Sequence, residues 1–208
     1  MYIDIHTHQI QPREDVLAIV NLSFEKPHPS ENGLYSMGIH PWDISALSPS
    51  KTEEQLETIR TESLFAIGEI GLDKIKSSDL STQLELFKTQ ITIANQRKKP
   101  IIIHCVKAFN EVLQQKTAIK NPAIIHGFRG KPILMKSLCD AGFFLSFGER
   151  FNEKTVEETP LDRLFLETDD SETTIQSIYQ RVAEIKHCDL SSLEKSIEEN
   201  FRRLSAAR

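Results

Sequence analysis

The sequence runs to 208 residues, 39% hydrophobic and 26% charged, the balance of a soluble globular protein with room for one sizeable core. A net charge of −5 and a pI near 5.8 exclude a global basic field that would recruit nucleic acid or an anionic membrane, so a polyanion would need a local basic patch or a metal. Cys105, Cys139 and Cys188 are odd in number and lack CxxC spacing, which predicts reduced thiols; with no membrane-length apolar run and no room for a signal peptide before the first strand, a cytoplasmic protein is expected.

The chain opens on Tyr2-Ile3-Asp4-Ile5-His6-Thr7-His8. A period of two puts Asp4, His6 and His8 on one face and Ile3, Ile5 and Thr7 on the other. Either the polar face meets water, or the two imidazoles aim at a single point such as a metal ion. Strands are predicted over 2–6, 16–24, 34–39, 64–70, 100–104, 123–126, 143–147 and 164–168. Several are continuous in Ile and Ala, as in IIIH and AIIH, which suits strands buried on both faces of a parallel sheet. Helices are predicted over 52–62, where Ser or Thr caps precede acidic residues, and over 80–97, where Leu84, Phe87, Ile91 and Ala94 keep helical spacing. Further helices are predicted over 109–115, 132–141, 173–185 and 191–204.

Repeated strand–helix alternation predicts a compact α/β protein, a TIM-like (β/α) barrel, with a doubly wound open sheet as the competing architecture. Such barrels usually take about 250 residues. The shortfall has an address: 9–15 and 25–33 are short and rich in Pro, His and Asn, so the first two helices are expected to be missing or reduced. No repeat or linker divides the chain, and a single domain over 1–208 is expected.

The informative residues end these strands: His6 and His8 the first, Glu69 the fourth, His104 the fifth, His126 the sixth and Asp169 the eighth. In a barrel those ends form the rim that carries the active site. Any one histidine there reads as structural, whereas six metal-competent residues at successive strand ends read as a ligand set. Four imidazoles and two carboxylates suffice for one or two divalent ions, and the mixed N/O donors suit Zn²⁺, Mn²⁺ or a similar ion.

DIHTH at 4–8, GIHPW at 38–42, GEIGLD at 68–73, IHC at 103–105, HGFRG at 126–130, LETD at 166–169 and ENFRRL at 199–204 together resemble the TatD-type metal-dependent hydrolases of the amidohydrolase superfamily, along nearly the whole chain. The resemblance implies a metal-dependent phosphodiesterase or deoxyribonuclease whose ligands are His6, His8, Glu69, His104, His126 and Asp169. It places Glu69 between two metal positions, His6 and His8 on one ion, His104 and His126 on the other, and Asp169 on a metal and the attacking water. Three positions depart from the pattern: Asp170-Ser171-Glu172 replaces a small residue, Pro and an aromatic, Val106 replaces an arginine, and Lys74 an aromatic. The ligand set survives these changes, and the substrate is what they put in question.

A divalent ion (Zn, Mn or Mg) lowers the pKa of bound water from 15.7 to about 7, with Asp169 as candidate general base and Glu167, Asp4 and Asp73 as candidates for orienting the ligands. Lys74, Lys76, Lys107, Arg129, Lys131 and Arg150 follow predicted strands, and positive charge on that rim favours phosphate or another anion. His40 could donate to phosphate and Trp42 could stack on a base, so His40, Trp42, Arg129 and Lys131 are the substrate-binding candidates. Packing accounts equally well for Trp42, as do solvated loop charges for Arg129 and Lys131. Arg97-Lys98-Lys99 falls at the opposite end and reads as solubility, Cys105 as packing, and His28 and His187 as surface residues. The leading expectation is hydrolysis of a phosphodiester or other anionic substrate, DNA among them, with no membrane and no obligate protein partner. The rivals are an amidohydrolase, esterase or lactonase for a small substrate, and a non-catalytic metal-binding protein.

Overall fold

The computed structural model describes residues 1–10, 14–25, 33–75 and 79–206. In hydrogen-bonded order its eight strands follow the chain: β1 (Tyr2–Thr7), β2 (Val16–Asn21), β3 (Leu34–Met37), β4 (Ala66–Asp73), β5 (Ile101–Val106), β6 (Ala123–Ile125), β7 (Phe144–Phe147) and β8 (Leu164–Leu166). The pairings are parallel. This is the strand order of a (β/α) barrel, as expected; a doubly wound sheet would reverse its order at a switch point. Helices α1 (Pro49–Thr61), α2 (Leu80–Arg97), α3 (Phe109–Gln114), α4 (Pro132–Asp140) and α5 (Glu153–Glu158) follow β3 to β7, and α6 (Ile175–Ile185) and α7 (Leu190–Ala206) follow β8. Among the described residues no helix follows β1 or β2; the segments 9–15 and 25–33, expected to lack them, lie partly outside those residues. The chain divides into two compact units, residues 1–20 with 124–206, and residues 21–123.

In the first unit β1 pairs with β2 from Tyr2↔Val16 to Thr7↔Val20, and β6, β7 and β8 pair in succession. The last strand returns to the first: Thr7 bridges Asp169, Asp169 N donates to His6 O, and His8 N donates to Asp169 O, both at 3.0 Å. Tyr179 of α6, fully buried, fastens β1 from outside. Its hydroxyl donates to Ile3 O (3.0 Å) and accepts from Ile3 N (3.1 Å). Asn200 of α7 does similar work at the start of β8, donating to Leu161 O and Leu164 O at 2.8 Å. The ENFRRL segment therefore closes against β8 through a buried amide. α5 has no apolar periodicity to predict it; it forms because the Asn152 side chain caps it, accepting from Thr155 N.

In the second unit β3 pairs with β4 and β4 with β5, the latter register shifting between Ile67 and Ile70. Two strands outrun their predicted ends here. β4 continues past residue 70 to Asp73 and β5 past 104 to Val106, so Glu69 and His104 stand within their strands instead of ending them. Gly71 permits the extension: it takes a φ of 153°, and a Cβ there would fall 1.9 Å from His104 O. Ser48 caps α1 with Pro49 in its first turn, and Asp79 caps α2 by accepting from Ser81 N and Thr82 N. The solubility reading of Arg97-Lys98-Lys99 needs correction. The Arg97 guanidinium donates to Ile59 O and Glu62 O at the end of α1, and burial lowers its pKa. Lys98 ends α2 in the left-handed region, with φ 52°.

Two measurements test this packing. Tyr179→Phe strips Ile3 of both side-chain bonds, so urea unfolding should show a loss of about 1–3 kcal/mol with an unchanged m-value; a neutral result would mean that β1 does not depend on this contact. Burial pushes the Cys139 thiol up to about 11, leaving it protonated at pH 8. Iodoacetamide should therefore modify it about a hundredfold more slowly in the native protein than in the urea-unfolded chain, by peptide mass spectrometry.

Candidate metal centre

In the first unit the donors come from the end of β1 and from the residues just after β6 and β8. His6 is fully buried, and its ring centroid lies 4.4 Å from that of His126. Its Nε2 is 3.5 Å from Asp169 Oδ1, and Nε2 of the half-exposed His8 reaches the same oxygen at 3.5 Å. One donor atom from each of His6, His126 and Asp169 falls within 4.8 Å of the others. Asp169 sits at φ 54°, left-handed backbone that Asp and Asn tolerate better than most residues.

Buried carboxylates hold this group in place. Glu167 Oε1 accepts from Gly127 N at 2.6 Å and lies 3.3 Å from His126 Nδ1. With Nδ1 donating to Glu167, His126 offers its Nε2 lone pair to a cation. Asp4 accepts from Thr168 N (3.0 Å) and from the Thr168 hydroxyl (2.7 Å), fixing the residue before Asp169. Both were candidates for orienting ligands; Glu167 bonds the His126 ring, and Asp4 holds the backbone that presents Asp169.

In the second unit one donor atom from each of His40, Glu69 and His104 lies within 4.8 Å of the others. Hydrogen bonding separates their roles. Trp42 N donates to His40 Nδ1 at 3.0 Å, so the neutral His40 ring carries its proton on Nε2, 3.2 Å from Glu69 Oε1. In that tautomer His40 has no lone pair for a metal; it holds Glu69. His104 differs, with Nδ1 2.7 Å from Glu69 Oε1 and Nε2 3.3 Å from Asp73 Oδ2. A neutral ring has one proton, so one of these carboxylates meets a lone pair, and a proton or cation between the two satisfies that side. The Trp42 indole N–H donates to Asp73 Oδ2 (2.7 Å) and Ile75 N donates to Asp73 Oδ1 (2.7 Å). Donor chemistry in both units thus fits a divalent ion of the Zn²⁺, Mn²⁺ or Mg²⁺ kind.

The substrate candidates are less gathered. Trp42 is 45% exposed, its ring centroid 5.6 Å from that of His104. Arg129, Lys131, Lys107 and Arg150 are exposed, Lys107 with φ 54°. Lys74 is engaged by Glu111 at 2.6 Å, which holds the Glu111 carboxyl below its ordinary value and takes this cation out of the basic rim. Lys76 and His28 lie outside the described residues, and His187 is exposed. Sequence reading missed Gln83, Gln90 and Asn21. Gln83 and Gln90 are 1% exposed, and each bonds both backbone groups of one residue in or beside the site: Gln83 those of Asp73, Gln90 those of Ile39. Asn21 Oδ1 accepts from Glu69 N and from the Ser36 hydroxyl. A signal existed, since the two glutamines lie seven residues apart on the apolar face of α2.

Parallel strands in chain order, with N/O donor sets at or near their C-terminal ends, define a metal-competent protein of the (β/α)-barrel class. A family model described as TatD related DNase matches residues 14–205, and the chain belongs to that family. It is 29% identical over 197 residues to a Bacillus subtilis protein named uncharacterized metal-dependent hydrolase YabD, covering 81% of this chain and 76% of that protein. Identity is also 29%, over 160 residues, to an Erwinia tasmaniensis protein named 3'-5' ssDNA/RNA exonuclease TatD, covering 71% of this chain and 61% of that one. The chain spans 57–61% of the length of four of the curated relatives it matches. The solved structure of YJJV, a TatD homologue from Escherichia coli K12, superposes with a TM-score of 0.83 at 18% identity, covering 98% of this chain and 97% of that one, which shows the shared fold.

If Glu167 fixes the His126 tautomer, Glu167→Gln should weaken Mn²⁺ binding about 10- to 100-fold while the far-UV circular dichroism stays unchanged. Isothermal titration of the metal-free protein measures it, and an unaltered affinity would remove Glu167 from this role.

Proposed function

We propose that the chain is a metal-dependent phosphodiesterase acting on single-stranded nucleic acid, with one or two divalent ions held by His6, His8, Glu69, His104, His126 and Asp169, and with both units serving one hydrolase domain. What carries this reading is the donor geometry: in the first unit His6, His126 and Asp169 bring N and O ligand atoms within 4.8 Å of one another, and in the second His104 Nδ1 lies 2.7 Å from Glu69 Oε1. The arrangement of these six around a shared centre, with Glu69 between two metal positions and His104 and His126 on one ion, comes from the family resemblance. The relatives named as ssDNA/RNA exonucleases bring in the substrate class.

A bound divalent ion supplies Lewis acidity and lowers the pKa of water to about 7. Asp169 receives the proton of the attacking water, which adds to phosphorus as the P–O ester bond breaks; the proton then passes to the departing alkoxide. Glu167 keeps His126 in its donating tautomer, and His40 holds Glu69. Arg129 and Lys131 bind phosphate oxygens, and Trp42, with its indole edge tied to Asp73, offers a ring face on which a base stacks.

A second reading has an observation of its own. Glu149, Asp170 and Glu172, in the connections after β7 and β8, are exposed acids near Asp169, and the Ser171 hydroxyl donates to Glu149. Negative charge there opposes a long polyanion and suits a small ester, lactone or amide. Protein loaded with Mn²⁺, Mg²⁺ or Zn²⁺ and assayed on single-stranded DNA, RNA, bis-(p-nitrophenyl) phosphate, lactones and amides separates the two. The expected result is turnover of the nucleic acids, abolished by chelation, with kcat falling about 10²- to 10⁴-fold in Asp169→Asn. Turnover of lactones or amides alone would favour the second reading, and phosphodiester turnover indifferent to Asp169→Asn would overturn the mechanism.

A further inference from the structure

α2 carries two buried amides that perform the same unusual task at different strands. Gln83 Oε1 accepts from Asp73 N at 2.8 Å while its Nε2 donates to Asp73 O at 3.0 Å. Gln90 repeats the pattern on Ile39, accepting from its N at 2.7 Å and donating to its O at 3.1 Å. A carboxamide used in this way stands in for a neighbouring strand. It satisfies both polar groups of a residue where the sheet ladder has run out, and fixes that residue in place and in orientation. Seven residues is close to two helical turns, so one rigid face of α2 presents both amides.

Both clamped residues border the donor group of the second unit. Asp73 receives the Trp42 indole N–H and faces His104 Nε2. Ile39 immediately precedes His40, which lies 3.2 Å from Glu69 Oε1. An aliphatic residue at either position would leave a buried N–H and C=O unpaired, so each amide stabilises the fold; what the two share besides is that the residues they clamp border the donor group. We propose that Gln83 and Gln90 are positioning residues: through Asp73 and Ile39 they set the placement of His104, Glu69 and His40, and α2 acts as the template for the donor group of the second unit. The metal-affinity arm of the test rests on the metal-centre reading given above; the fluorescence arm does not.

Trp42 is the only tryptophan in the chain, and it is bonded to Asp73 and to His40, so its emission reports on this group in the metal-free protein. The variants are Gln83→Glu and Gln90→Glu, which keep shape and an acceptor but lose the donor, together with Gln83→Leu and Gln90→Leu. Leu86→Ala, on the same helix and buried, serves as the control for destabilisation alone. In folded protein, the glutamine variants should raise the acrylamide quenching of Trp42 and weaken Mn²⁺ binding about 10- to 100-fold, with Leu86→Ala moving neither. Wild-type quenching and affinity in the glutamine variants would overturn the proposal. So would equal shifts in Leu86→Ala, or a failure of all four glutamine variants to fold where Leu86→Ala folds, because the amides would then serve stability. If the wild type binds no Mn²⁺, the metal-centre reading falls, and Trp42 quenching still decides the role of the glutamines.

Discussion

A buried backbone N–H or C=O that the sheet ladder leaves without a partner is cut off from water as well, and leaving it unpaired costs on the order of 1–3 kcal/mol. Side chains of this chain meet that demand repeatedly. Tyr179 serves Ile3, Gln83 serves Asp73, Gln90 serves Ile39, Asn21 serves the amide of Glu69, Asp4 serves Thr168 and Asn200 serves Leu164. Most of the residues served in this way lie within a few positions of a histidine or carboxylate of the candidate centre. The constraint that keeps strand ends from unravelling is thus also the one that decides where the chemistry stands.

Carboxylates placed behind the histidines do the finer work. A histidine is ligand or donor according to which nitrogen holds its proton, and neighbouring hydrogen bonds settle that. Proximity alone would count His40 among the ligands. The Trp42 N–H on its Nδ1 makes it a donor to Glu69 instead. His126 takes the opposite course, since Glu167 occupies its Nδ1 side and leaves the Nε2 lone pair open. Two rings of equal chemistry thereby acquire different tasks from one hydrogen bond each.

The candidate ligand residues stand out in the sequence because each interrupts or follows an apolar run, a pattern that needs only the alternation of the strand to interpret. The parallel order of the strands was legible for the same reason, in runs such as IIIH and AIIH. Strand limits were not. Gly71 lets β4 approach β5 closely enough to continue to Asp73, and that approach depends on His104 O, thirty-three positions away. Arg97 looked like part of a solvated basic run because its partners, Ile59 O and Glu62 O, belong to a helix end that only the fold brings near. The buried glutamines sat in a pattern that was read for its leucines and phenylalanine. Lys74 counted as a rim cation until Glu111 of α3 claimed it.

The left-handed backbone of Asp169 shapes what descent can do with this fold. Aspartate and asparagine occupy such a conformation with little penalty, whereas alanine or a β-branched residue there costs roughly 1 kcal/mol or more. A lineage that abandons the proposed reaction therefore has a smooth exit through a single amide, keeping the scaffold intact while the carboxylate disappears. Silent copies of this architecture should carry asparagine or glycine at that corner, and valine there should be rare even where selection for turnover has lapsed.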